Sequence, residues 1–359
     1  MNNKTIVSIT GIRPDFIRMS NIFNLLDKYS NHILIHTGQH YDSQLSAVFF
    51  DELNIRKPDY ILQTGILNDN HYEQMSYLST KIIELFNKNN ISPDLIIFLG
   101  DSNSVGVSFV LKKQGYKICH IEAGMRSYDN RMLEEINRKV CDICSDILFV
   151  YHDDYKKNLE KENIYKNIYV VGNTITEICK NNIPIEDKLN NTILIDIHRP
   201  ENFNYKDRMV KIIKYALICH NKYNVPIEML TFNRTIEHIK KYNIDANFIK
   251  YIPLLSYKKY IKKIYHSLII ISDSGTAQEE SVFFKVPVIV PRDFTERPQS
   301  AKYNCSYMLS VENENEYNKS FDWIDKYINN KLIIDTSWLG DGNTSEKIID
   351  ILKNNYFSK

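Results

Sequence analysis

Apolar residues in this chain gather in short β-branched runs set apart by longer stretches of helical spacing. Such runs occur at TIVSIT from Thr5, ILIHT from Ile33, LIIFL from Leu95, ICHI from Ile118 and ILFV from Ile147. After a polar stretch near Asn181 to Asn191 the pattern restarts with TILIDI from Thr192, IEML from Ile227, LIIIS from Leu268 and VPVIV from Val286. Runs that are apolar along their whole length predict strands buried on both faces, hence parallel sheet. The stretches 17–29 and 74–87 space their apolar residues as helices do. Strand and helix alternating, twice over, predict an α/β chain of two doubly wound, Rossmann-like domains. The expected division is an N-terminal domain over 1–180, a C-terminal domain over 190–342 and a final helical segment over 343–359.

The residues just beyond each strand carry the chemistry. TIVSIT runs into Gly11-Ile12-Arg13-Pro14-Asp15, ILIHT into Gly38-Gln39-His40, and LIIFL into Gly100-Asp101-Ser102. ICHI runs into Glu122-Ala123-Gly124-Met125-Arg126, and TILIDI into His198-Arg199-Pro200-Glu201-Asn202. LIIIS leads to Asp273-Ser274-Gly275-Thr276, and VPVIV to Pro291-Arg292-Asp293. Open parallel sheets bind ligands beyond the carboxyl ends of their strands. Polar clusters at seven such ends, in both halves, point to a ligand cleft between the two domains.

Composition narrows the function classes. The 359 residues carry 45 Lys+Arg against 44 Asp+Glu, a formal charge of +1, without the basic excess of a dedicated nucleic-acid binder. No apolar run approaches the ~20 residues of a membrane span. The opening MNNKTIVSIT lacks the apolar core of a signal peptide, so a cytoplasmic location is expected. Six cysteines are too sparse for a disulfide framework, and the Cys141–Cys144 pair falls inside a predicted helix as two ordinary positions. Neither GxGxxG nor GxxxxGK[ST] occurs, so nicotinamide and P-loop readings have no support. No metal or other cofactor is implied.

Candidate residues divide between the halves. In the second, Gly275 after Ser274 marks a helix start whose N–H groups suit a diphosphate. Glu280, one turn on, suits ribose hydroxyls, and Arg13 and Arg292 suit phosphate oxygens. The first half carries acids: Asp101, Glu122 and the pair Glu134-Glu135, with Arg126 and Arg138 nearby. Glu134 and Arg138 share a helix face at i, i+4. Asp101 and Glu122 end neighbouring strands, where burial raises a carboxyl pKa and separates acid from base. His198 is the corresponding titratable group of the second half. Read singly, each has a plainer role as cap, surface ion pair or structural histidine.

Together the segments resemble the non-hydrolysing UDP-N-acetylglucosamine 2-epimerases. GIRPDFIRMS is similar to that family's GTRPEAIKM, TGQHYDSQL to its TGQH segment, LGDSNS to GDTxS, and HIEAGMRSYDNRMLEEINR to HVEAGLRS…PEExNR. VGNT, DIHRPENF, SDSGTAQEE, RDFTERP and GDGNTSEKI come after them in the family's order. The resemblance implies a GT-B-like fold with the last helix crossing back to the first domain, and a homodimer. It places the catalytic set on Asp101, Glu122, Glu134, Arg138 and His198. Nucleotide binding falls on Arg13, Arg18, His198, Tyr260, Ser274, Gly275, Glu280 and Arg292, and an allosteric segment on Gln39 and His40. The implied reaction is reversible epimerisation of UDP-GlcNAc to UDP-ManNAc through UDP elimination to a 2-acetamidoglucal. A related UDP-diacetamido sugar, a hydrolysing outcome and a GT-B glycosyltransferase are the alternatives. Departures from the family pattern are Ile12 for Thr, Arg18 for Lys, Leu133 for Pro, Thr276 for Gly and Gln299 for Glu.

Overall fold

The first sheet is built outward from β1 (Thr5–Thr10), which pairs in parallel with β2 (Asn31–His36) on one side and β4 (Leu95–Leu99) on the other. The remaining strands are β3 (Tyr60–Ile61), β5 (Ile118–Ile121), β6 (Ile147–Val150) and β7 (Ile168–Val170), in the order β3-β2-β1-β4-β5-β6-β7, every pair parallel. The computed structural model describes residues 4–38, 47–67 and 70–357. The second sheet contains β8 (Thr192–Asp196), β9 (Ile227–Leu230), β10 (Ile249–Ile252), β11 (Ser267–Ser272), β12 (Val288–Val290) and β13 (Ser306–Met308), in the order β10-β9-β8-β11-β12-β13. That is the 3-2-1-4-5-6 order of a Rossmann sheet, again all parallel.

Helices between the strands cover the sheets, which is why the central strands are apolar without alternation. Val7, Ile9, Ile96 and Phe98 of the first sheet join Ile82 and Phe86 of the helix His71–Lys88 in one core. Ile193, Ile195, Ile269 and Ile271 anchor the second with Met209, Ile212 and Ala216 of the helix Lys206–Tyr223. Each such Val, Ile, Phe or Met side chain contributes roughly 1.5–3 kcal/mol by leaving water. The helix Arg13–Tyr29 buries Phe16, Met19, Ile22, Phe23 and Leu26 on one face. Pro14 lies in its first turn, which the fixed proline φ suits, and the helix stops at Ser30, whose N–H and hydroxyl both bond to the Leu26 carbonyl at 2.9 and 2.7 Å.

The chain divides into two units, Met1–Ile178 with Leu339–Lys359, and Cys179–Trp338. The C-terminal segment joins the first unit through polar ties. Glu177 accepts from the Ser345 N–H and hydroxyl at 2.6 Å each, and from Asn21 at 3.0 Å. The Asn173 N–H donates to the Leu339 carbonyl at 2.9 Å. No helix among the described residues is long and apolar enough to cross a membrane.

Candidate active site

In each sheet the strand order reverses about one pair of neighbours: β1 and β4 in the first unit, β8 and β11 in the second. Helical connections leave such a pair in opposite directions and open a crevice at the carboxyl ends. The turns lying there are Gly11–Arg13 and Gly100–Ser104 in the first unit, Ile197–Arg199 and Asp273–Gly275 in the second.

The first unit concentrates carboxylates with buried arginines. Strands β4 and β5 pair up to Leu99 and Ile121, so Asp101 and Glu122 emerge side by side. Arg138, from the helix Leu133–Cys144, donates to Asp101 and, at 3.0 Å, to Glu135. Asn137 of the same helix donates to the Asp101 carbonyl at 2.9 Å. Arg18 ion-pairs with Glu122, both side chains being buried. Glu122 has φ +72°, a left-handed conformation that costs a non-glycine residue of order 1–2 kcal/mol. Glu135, rather than its neighbour Glu134, is the buried acid of this helix's first turn, accepting from the Ser127 and Tyr128 N–H groups at 2.9 and 3.2 Å. Glu134 is half-buried in the first turn.

A further acid stands in the strand-end cluster Gly11–Asp15, but the sequence assigns it no role. Asp15 is buried and accepts from the Gly11 and Ile12 N–H groups at 2.7 and 3.1 Å. Burial, then the charges of Asp101 and Glu122, push its carboxyl up to about 7 against the pull of those two N–H bonds. Along the chain it stands where an acid commonly caps a helix, and nothing local reveals its burial. Arg13, at the first helical position, lies over the Phe49 ring at 5.1 Å. Gln39 and His40 lie outside the described residues.

In the second unit two aspartates organise the switch-point turns. Asp273, fully buried, accepts from the His198 N–H at 2.9 Å, the Arg199 N–H at 3.0 Å and the Asn202 amide at 2.9 Å. Asp196 accepts from His198 Nδ1 at 3.1 Å and the Tyr260 hydroxyl at 2.9 Å. The His198 ring also packs on Phe232, centroids 4.8 Å apart. Burial draws its pKa down, but Asp196 and Asp273 outweigh this and raise it above the ordinary histidine value. Glu280 is buried facing Tyr257 and Tyr260, whose phenols are pushed up by burial and by nearby carboxylates.

Arg292 is fully buried, reaching Glu201 at 3.1 Å and Glu296 at 3.4 Å, with its guanidinium 4.9 Å from the Phe294 ring centroid. Gly275 sits under a close approach: a Cβ there would stand 2.3 Å from Arg297 Nη1 and 2.6 Å from Glu296 Oε1, so the ends of both buried side chains would have to shift. Arg297 in turn ion-pairs with Glu296 and, at 2.8 Å, with Glu279. Thr276 adds a hydroxyl to this turn, 3.0 Å from that of Ser274. Asp196, Asp273, Glu279, Glu296 and Arg297 all lie in the runs and segments quoted from the sequence, but only their burial and partners give them a role.

The family model described as UDP-N-acetylglucosamine 2-epimerase matches residues 25–353. The chain belongs to the UDP-N-acetylglucosamine 2-epimerase family. A UDP-N-acetylglucosamine 2-epimerase homolog of Methanococcus maripaludis is 34% identical over 97% of this chain and 99% of that protein. The UDP-2,3-diacetamido-2,3-dideoxy-D-glucuronate 2-epimerase of Pseudomonas aeruginosa is 31% identical over 81% of this chain and 84% of its own. The crystal structure of the Methanocaldococcus jannaschii UDP-GlcNAc 2-epimerase, in complex with UDP-GlcNAc and UDP, superposes with a TM-score of 0.87 at 30% identity, covering 98% of this chain and all of that one. Within the epimerase family pattern, the Arg18 departure keeps a cation that neutralises Glu122, and Gln299 is buried.

Proposed function

We propose that this chain interconverts UDP-GlcNAc and UDP-ManNAc, without net hydrolysis, by reversible elimination of UDP. The observation that carries the reading is the cluster of Asp15, Asp101 and Glu122, neutralised by Arg18 and Arg138, at the switch point of the first sheet. C2 of a 2-acetamido sugar has no adjacent carbonyl to acidify its proton. A carboxylate therefore removes that proton as the C1–O bond breaks and its electron pair leaves with the diphosphate. The C1=C2 glucal then takes a proton at C2 from the opposite face while UDP returns to C1. Asp101, Glu122 and Glu134 carry the proton transfers, and Arg138 holds Asp101 in position. Arg13, His198, Ser274, Gly275 and Arg292 stabilise the diphosphate, and Tyr260 and Glu280 the nucleoside.

The test is an NMR time course with UDP-GlcNAc in deuterated water. The reading expects deuterium at C2 of both UDP-sugars with their sum constant. Accumulation of free UDP and free N-acetylmannosamine would make the enzyme a hydrolase instead. The relative from Pseudomonas aeruginosa supports a second reading, a UDP-diacetamido sugar as substrate, and the same assay with that sugar distinguishes the two.

The protein is further proposed to work as a cytoplasmic homodimer. Leu133, Ile136 and Ile143 form an exposed apolar stripe on one helix, 55–73% accessible, of the kind that a second copy covers. Light scattering on Ile136→Glu is expected to give a monomer; an unchanged mass would remove this face from the interface.

A further inference from the structure

Beneath the two acids of the first unit lies a buried ionic group that the proposed chemistry does not use. His120, on β5, has no solvent exposure. Its Nε2 lies 2.8 Å from the Gly100 carbonyl and its Nδ1 2.7 Å from Asp142 Oδ1. Both partners accept, whereas a neutral imidazole has only one N–H to give. Asp142 does not supply the second proton. Its Oδ2 lies 2.8 Å from Arg126 Nη2 and accepts from the Gly124 N–H at 3.1 Å, which keeps the carboxyl ionised. Arg126 in turn pairs with Glu162 at 2.6 and 2.9 Å. The ring is therefore an imidazolium in a group of two cations and two anions. Burial favours the neutral ring, but Cys141 and Asp142 outweigh it and raise the His120 pKa well above its ordinary value. Burial raises the Asp142 carboxyl too, and His120 and Arg126 overcome this to hold it low.

The group touches both turns that carry the acids. Gly100, with φ +75°, starts the turn to Asp101; its N–H donates to the Ile121 carbonyl at 3.1 Å while its own carbonyl accepts from His120. On the other side Asp142 holds the Gly124 N–H, closing the turn in which Glu122 takes its left-handed conformation. One charged ring thus connects the backbone before Asp101 to the anion that anchors the backbone after Glu122. We propose that His120, ion-paired with Asp142, is a positioning residue for the epimerisation, locking the Gly100–Asp101 and Glu122–Gly124 turns together so that both carboxylates are aimed at C2. The role rests on the epimerase reading, but the charge state of the ring does not.

Two measurements test it. In wild-type protein labelled with ¹⁵N-histidine, the ring nitrogens of His120 are expected to report two N–H groups at neutral pH, where an ordinary histidine is mostly neutral; a neutral ring overturns the proposal. His120→Gln donates from a single nitrogen and does not span the two acceptors. It is expected to lower kcat for C2 deuterium exchange about 100-fold, the scale of a 1 Å misplacement, with KM and UDP affinity within about twofold of wild type. Asp142→Asn is expected to lose kcat similarly and to turn the His120 nitrogen signals neutral. Wild-type kcat in His120→Gln, or a loss confined to KM, overturns the positioning role. Should a variant fail to fold, the wild-type nitrogen signals still decide the imidazolium bridge. Absence of deuterium exchange by wild-type enzyme would strike the epimerase reading instead, leaving those signals to decide the bridge alone.

Discussion

Arg18 and Glu122 form a buried ion pair that joins the first long helix to the end of β5, with Glu122 held at positive φ. The pair gives the first unit a carboxylate that is out of water yet neutralised, and it stands where the family's pattern has a lysine.

Removing one member of a buried pair leaves the other uncompensated. Arg18→Ala is therefore expected to destabilise the protein by about 3 kcal/mol, read from urea unfolding. Arg18→Lys restores the charge without the planar fork and should recover most of that loss. Equal stability of Arg18→Ala and wild type would mean that Glu122 is already protonated.

Asp101→Asn and Glu122→Gln each keep shape while removing a proton acceptor. Each variant is expected to bind UDP normally and to lose at least ~100-fold in turnover, the scale of acid–base catalysis. Steady-state kinetics beside UDP calorimetry check both halves of this expectation, and near-normal turnover in the two variants would sink the assignment.

Asp15, with its carboxyl pushed up to about 7, makes stability depend on pH. The folded protein keeps this proton up to about that pH, whereas the unfolded chain releases it near 3.8. The unfolded state thus binds fewer protons across that interval, and stability falls as pH rises through it, levelling off above it. Asp15→Asn still accepts from Gly11 and Ile12 but has no proton to lose. Relative to wild type, the variant should gain stability as the medium passes from mildly acidic to mildly alkaline, seen as diverging urea midpoints. Parallel midpoints would show an Asp15 that titrates like an exposed aspartate.

Arg13→Ala and Glu280→Ala probe nucleotide binding rather than chemistry. Both act on the ground state, so each should weaken UDP itself by about tenfold, ~1.4 kcal/mol, in calorimetry. Affinity unchanged in both would assign the nucleotide to other residues.

Much of the architecture was legible in the sequence, and the pattern of what was missed is physical. Among the described residues, the nine apolar runs are the nine interior strands. The four further strands there, β3, β7, β10 and β13, are the sheet edges. An edge strand is short and half-exposed, as in the two residues of Tyr60–Ile61 or the exposed Lys250 and Tyr251 of β10, so no apolar run announces it. The strand-end clusters were legible for the same reason as the interior strands: a buried parallel strand must end before polar residues begin.

The pairing of charges was not legible, because it is set by which strand ends lie side by side. Helical spacing points Arg138 to Glu134 and says nothing of Glu135 or of Asp101, 37 residues away, to which the structure brings that arginine. Asp15 reads locally as a cap, His120 as a polar residue in an apolar strand, and Asp142 as one more acid on a helix. The sequence by itself determined the two parallel sheets and the turns where chemistry gathers, since burial on both faces imprints a run of residues directly. Only the tertiary structure decided which acids are buried, which cations neutralise them and which histidine lies between two acceptors. Those properties depend on desolvation and on partners far apart in the chain, 104 residues for Arg18 and Glu122, and no local pattern encodes either.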